Sequence, residues 1–209
     1  MLTLTSFTKS FGEQTILQIP EHTFQSGVHW VKGRNGSGKT TLFNCLAGLS
    51  PYQGQIKLSG IDLNKDPGTY KLRVNYSQSE PTFPEFLTGQ DLIDFFANLK
   101  QAKASQIAHL CGALGVDQFA QKPCGSYSSG MVKKLSMVLA FLGQPSLIIL
   151  DEPLITLDKE AQDVVTQLIS QEHAQGTTFI FATHQDFENE LIKASHIYEV
   201  KDQSLKTVS

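Results

Sequence analysis

The chain has 209 residues, 40% of them apolar, and its 20 acidic side chains against 17 basic ones leave a net charge of −3; without a Lys/Arg-rich tract, this composition excludes the electrostatic footprint of a sequence-tolerant nucleic-acid binder, and no nucleic acid is expected as a partner. Three widely separated cysteines, Cys45, Cys111 and Cys124, exclude a disulfide framework and a structural zinc site, and suit a reducing compartment. The longest apolar stretch, Met137 to Gly143, is far short of the ~20 residues that cross a bilayer, and the first residues lack a signal-peptide pattern, so the sequence predicts a soluble, cytoplasmic protein.

Short strands are predicted over residues 2–8 and 14–20, with Phe11-Gly12-Glu13 as the turn between them. Val28 to Val31 reads as an apolar strand, and the glycine-rich run Gly33–Gly38 follows it directly. Leu42, Phe43, Leu46 and Leu49 then recur at helical spacing until Gly48 and Pro51 end the pattern. Gln55–Leu58 reads as a strand, and residues 63–70 as turn chemistry. From Thr88 to Phe119 apolar positions fall three and four apart, which predicts two or three helices and no strands, and helix resumes over 130–142. Leu147-Ile148-Ile149-Leu150 is short, continuous and apolar, as a strand buried inside a parallel sheet should be. A helix over 159–174, a strand over 177–182, a helix over 186–194 and a closing hairpin over 196–207 complete the reading. Strands alternating with helices imply an α/β sheet, interrupted by a helical insert.

Two segments carry chemistry. Gly33-Arg34-Asn35-Gly36-Ser37-Gly38-Lys39-Thr40 fits G-x-x-x-x-G-K-[ST], lies between a strand and a helix, and runs on into Thr41. Glycines there let backbone N–H groups turn inward around phosphates at a helix N-terminus. Lys39 adds a flexible point charge, and the Thr40 hydroxyl suits Mg²⁺. The second segment is the apolar strand ending in Asp151-Glu152. Asp151 falls at the end of the sheet where ligands bind, placed to hold Mg²⁺. Glu152, one residue on, points the other way and is placed to polarise a water.

With these features the chain resembles the ATP-binding subunit of ABC transporters almost from end to end. Tyr127-Ser128-Ser129-Gly130-Met131, about twenty residues ahead of Asp151, is similar to the LSGGQ signature that narrows P-loop nucleotidases to this family. The resemblance implies one domain over 1–209: a P-loop core of ABC type, a small N-terminal antiparallel β subdomain, and a helical subdomain inserted at about residues 82–135. It implies ATP hydrolysis, with ATP and Mg²⁺ bound, the metal held through Thr40, Gln78 and Asp151. Lys39, Gln78, Glu152 and the switch histidine His184 would be the catalytic set, and Phe11 would stack on adenine. Ser128, Ser129, Gly130 and the D-loop's Asp158 would reach the nucleotide of a second, identical subunit. A permease on a separate chain would be the other partner, holding the cassette on the cytoplasmic face of the membrane. Phe83, Phe86 and Leu87 are candidates for that docking surface. The Tyr-Ser-x-Gly-Met variant is similar to exporter signatures, which implies export.

The sequence departs from the family pattern in four places. Ser129 stands where the signature has its first glycine, and a positive φ there would cost roughly 1 kcal/mol or more. Met131 replaces the glutamine, Ile155 replaces a small D-loop residue, and Arg34 replaces a frequent proline. Two alternatives stay open on the residues alone: a soluble ABC-type ATPase regulating a DNA or ribosome process, and a nucleotide-binding partner with weakened hydrolysis.

Overall fold

In the computed structural model, which describes residues 1–183 and 192–208, the strands divide between two sheets. The first is antiparallel and contains β1 (Leu2–Phe11), β2 (Gln14–Phe24), β4 (Gln53–Leu58) and β5 (Ile61–Asp62), in the order β2-β1-β4-β5. The second is built on β3 (Val28–Lys32), β6 (Val74–Ser77), β7 (Leu147–Asp151), β8 (Thr178–Ala182), β9 (His196–Lys201) and β10 (Ser204–Thr207), in the order β10-β9-β3-β8-β7-β6. Every neighbouring pair in it is parallel except the closing hairpin β9-β10. The helix expected over 186–194 falls mostly outside the described residues, and Ile192, Lys193 and Ala194 are not helical.

Alternation of side chains across the parallel sheet creates two cores. Ile148, Leu150, Phe179 and Phe181 face α5 (Ser129–Phe141) and α6 (Lys159–Ala174), where Leu135, Val138, Val165 and Ile169 meet them. Leu147, Ile149, Ile180 and Ala182 face the other way, onto Leu42, Phe43 and Leu46 of α1 (Lys39–Leu46) and onto Leu4, Phe7 and Ile56 of the antiparallel sheet. The parallel sheet is thus covered on both sides, with its strand ends left as the accessible edge. Leu49, which extends the helical spacing of α1 on paper, lies past the helix end and is 59% exposed.

The segment over 63–70 is not all turn. It opens α2 (Pro67–Arg73), which leads straight into β6. Asp66 caps α2 by accepting a bond from Thr69 N at 3.1 Å, with Pro67 in the first turn, an N-cap signal hidden inside a Pro-Gly sequence. β6 escapes sequence reading because it has only four residues, follows α2 with no turn between them, and buries its polar positions as well as its apolar ones. It is an edge strand whose buried Asn75 and Ser77 bond to α5 and its C-cap: Asn75 Nδ2 donates to Ala140 O and Leu142 O, and the Ser77 and Ser136 hydroxyls lie 2.8 Å apart.

Between β6 and β7 the described chain is helical, as expected. α3 (Gly89–Lys100) starts at a capping box, in which Asp91 N donates to Thr88 Oγ1 and Thr88 N donates to Asp91 Oδ2. α4 (Ala104–Leu114) and two single 3₁₀ turns, Val116–Gln118 and Cys124–Ser126, lead to α5. At the opposite end of the sheet from the glycine-rich loop, His22, His29 and His196 pack with Phe24 and Tyr198 into an aromatic cluster. Burial, helped by the nearby His29, lowers the His22 imidazole to about 4, which fits a structural role.

Candidate active site

The glycine-rich loop leaves the end of β3 and turns into α1. At Gly38, φ is +108°, a region closed to residues with a Cβ. Gly33 is required by close approach: a Cβ there would lie 2.6 Å from Ser37 Oγ and 2.8 Å from the Val200 carbonyl. Lys39, at the first position of α1, curls back so that its ammonium donates to Gly33 O at 2.7 Å and Arg34 O at 3.2 Å. Burial lowers its pKa, while the nearby carboxylates of Glu152 and Asp151 oppose that shift. The loop opens on a cavity of about 410 Å³ lined by Asn35 through Thr41, Asp151, Glu152, Ser79 and Glu80, with Ile16 and Ile155 as apolar walls.

Asp151 is the last residue of β7, only 2% exposed, and its Oδ2 accepts a 2.6 Å bond from Thr40 Oγ1. Glu152 differs from expectation. Strand alternation would turn it away from Asp151, but its φ of +47° breaks the alternation, and both carboxylates line the same cavity. A non-glycine residue held in this left-handed region is a strained one. The peptide that launches it is fixed on both sides. Glu152 N donates to Ala182 O at 2.9 Å, and Asp151 O accepts from the Lys133 ammonium at 3.1 Å.

The other sequence-predicted residues lie elsewhere. Gln78 follows β6, and its side chain lines a second cleft of about 290 Å³ with Tyr76, Phe83, Phe96 and Leu99 rather than the phosphate cavity. Its neighbours Ser79 and Glu80 face the phosphates' position in its place, a consequence of where β6 ends. Phe11 closes β1 with its ring 57% exposed and the Lys9 ammonium 4.4 Å from its centroid, and it is not part of the cavity wall. Ser128, Gly130, Met131 and Asp158 line a third cavity of about 480 Å³. There Ser128 Oγ caps α5 by accepting from Met131 N at 3.2 Å, and Asp158 caps α6 through Ala161 N at 2.8 Å. Asp158 also pairs with Lys134 at 2.7 Å, and this bond, with the cap, holds its carboxyl below the usual carboxylate range. Ser129 is the first helical residue of α5 and has no positive φ, so the expected strain is absent. His184 lies outside the described residues. Sequence reasoning missed Lys133, although a signal exists: it is a lysine at the position of α5 where helical spacing from Ser136 and Met137 calls for a buried residue.

Residues 20–155 match the sequence profile of the ABC transporter family. The chain belongs to that family. Among its relatives, the cytochrome c biogenesis ATP-binding export protein CcmA of Legionella pneumophila is 28% identical over 188 residues, covering 89% of this chain and 94% of CcmA. The human phospholipid-transporting ATPase ABCA7 is 28% identical over 165 residues, 77% of this chain, but this chain spans only 8% of its length. A solved ATP-binding cassette, MJ0796, described as a dimer in a post-hydrolysis state with ADP and Pi, superposes with a TM-score of 0.84 at 18% identity, covering 100% of this chain and 99% of that one. This cassette is the ATP-binding, ATP-hydrolysing part of an ABC-type transport system. Among its described residues no helix is long and apolar enough to cross a membrane.

Proposed function

We propose that two copies of this cassette close on Mg-ATP, hydrolyse it, and drive export through a permease carried on a separate chain, at the cytoplasmic face of the membrane. Residues 1–209 act as a single ATP-binding domain, with 82–135 as its helical insert. The N–H groups from Gly33 to Thr41 and the Lys39 ammonium hold the triphosphate, and Phe11 stacks on the adenine. The residues at the loop fit magnesium: a hydroxyl and a carboxylate oxygen 2.6 Å apart are hard donors beside a phosphate cradle, and Mg²⁺ typically takes one or two such oxygens and completes its shell with phosphate and water. Thr40 and Asp151 would hold it, Gln78 would have to turn from the neighbouring cleft toward the loop to join them, and the ion would neutralise charge on the phosphates. Glu152 orients and polarises the water for in-line attack, and His184 contacts the γ-phosphate. Ser128, Ser129, Gly130 and Asp158 complete the site of the opposite copy.

The observation that carries this reading is the separation of the two halves. The cavity at the signature shares no residue with the phosphate cavity, which supports a site that a second copy completes. The description of MJ0796 as a dimer supports the same geometry. For the membrane partner, support comes from the cleft holding Gln78, lined by Leu49 and Leu99, which are 59% and 47% exposed. Phe83 lines that cleft and Phe86 is 82% exposed, whereas Leu87 packs into the helical core. Export is favoured by the likeness to CcmA, an ATP-binding export protein. The test is Glu152→Gln: it should bind ATP, lose hydrolysis by ~10²-fold or more, and run as a dimer in gel filtration with Mg-ATP. A variant that stays monomeric and hydrolyses normally would sink the reading.

A further inference from the structure

Lys133 is the most unusual side chain in the molecule outside the phosphate cavity. It is a lysine 1% exposed, in the core of α5. An ammonium has three protons to donate, and here each finds a backbone carbonyl: Gln78 O at 2.8 Å, Ser79 O at 3.3 Å and Asp151 O at 3.1 Å. Those acceptors sit just where the β6-β7 ladder runs out, since its last registered pair is Ser77 and Leu150. Beyond that point the two strand ends have no ladder bonds to each other, and Lys133 bridges them.

We infer that Lys133 is a positioning residue that locks the Asp151–Glu152 peptide and the Gln78–Ser79 segment into one rigid unit, so that the signature helix, the docking cleft and the Glu152 carboxylate move together. The Asp151 carbonyl and the Glu152 N–H belong to a single peptide plane. Lys133 holds its oxygen and Ala182 O holds its N–H, so the plane cannot rotate. That constraint is what a left-handed φ of +47° at Glu152 needs, because such a backbone persists only where its surroundings over-determine it. The same ammonium holds the backbone of Gln78, whose side chain lines the cleft. The remaining polar contacts of this seam, Ser77 with Ser136 and Asn75 with Ala140 and Leu142, join the same strand to the same helix but do not reach the carboxylates.

The inference rests on the role proposed above for Glu152, and the experiment separates the two. In the purified chain, steady-state ATP hydrolysis and the affinity for a fluorescent Mg-ATP analogue are measured for wild type, Glu152→Gln, Lys133→Met, Lys133→Gln, Lys133→Arg and Ser136→Ala. Lys133→Met should lower kcat ~10-fold or more while analogue affinity stays within about twofold, because a misaimed Glu152 affects the transition state and not the bound triphosphate. Lys133→Arg, which keeps the charge and donors to the carbonyls, should recover kcat to within about threefold of wild type. Ser136→Ala should lower the melting temperature and leave kcat alone. If Lys133→Met does not fold, Lys133→Gln, with two amide donors, decides by the same split between kcat and affinity. Wild-type kcat in a folded Met or Gln variant, parallel loss of kcat and affinity, or loss of the fold in both variants would overturn the inference. Wild-type hydrolysis by Glu152→Gln would instead remove the reading of Glu152 on which it stands.

Discussion

The phosphate cavity and the signature surface are built in opposite ways. At the phosphate loop the functional groups are buried and bonded to one another: Lys39, Asp151 and Glu152 are 7%, 2% and 6% exposed, and Thr40, Asp151 and the loop carbonyls already hold their partners. At the signature, Ser128, Ser129 and Asp158 are exposed, and their side chains do no more than cap helices and form a surface ion pair worth little by itself. The first region is organised by its own chain before any ligand arrives. The second is a shaped surface with no ligand groups of its own facing it, the form expected of a half-site that another copy completes.

The largest test of this contrast acts on the preorganised side. Lys39→Met removes the ammonium bonded to the loop and should cut kcat/KM for ATP by ~10³-fold, read in a phosphate-release assay, with the fold intact by circular dichroism. Ser128→Ala should cost ~10²-fold on its own. The sharper experiment mixes the two. A dimer pairing Lys39→Met with Ser128→Ala contains one site with both lesions and one with neither. Equal amounts of the two inactive proteins should therefore recover about a quarter of wild-type activity if the sites act independently. No recovery on mixing would place both half-sites in the same chain and end the comparison.

How far the sequence reveals each region follows from its physics. The loop from Gly33 to Thr41 and the strand into Asp151 are legible because each combines a local residue pattern with the period of its element. β6 is not, because it is only four residues long and runs straight on from α2, and its Asn75 and Ser77 are buried through hydrogen bonds to α5 and its C-terminal end that no residue pattern announces. The cavity wall at Ser79 and Glu80 is hidden for the same reason, since its position depends on where β6 ends. Glu152 shows a further limit: its residue type is plain, but the turn that brings it beside Asp151 depends on a positive φ that no residue pattern announces. Lys133 is legible as a buried position from its helical spacing, but its role is not, because it depends on carbonyls that the fold brings together from the segment after β6 and the end of β7.

The smallest effect lies at the signature, where two adjacent residues should behave oppositely. Gly130 sits against the D-loop, and a Cβ there would come 3.1 Å from the Thr156 carbonyl, so Gly130→Ala must push that loop by a few tenths of an ångström. Thr156 itself has a left-handed backbone, φ +66°, and gives little room. Gly130→Ala should therefore lower kcat ~10-fold with ATP affinity unchanged. Ser129, in contrast, already has helical geometry at the first position of α5 and its side chain is exposed. Restoring the family's glycine there relieves no strain and adds backbone entropy to the unfolded chain. Ser129→Gly should leave kcat within about twofold and cost about 0.5 kcal/mol of stability at most, readable as a shift of one or two degrees in melting temperature. A several-fold rise in kcat for Ser129→Gly would mean that the serine restrains the γ-phosphate contact made across the dimer, and that the signature surface is tuned as tightly as the phosphate cavity it faces.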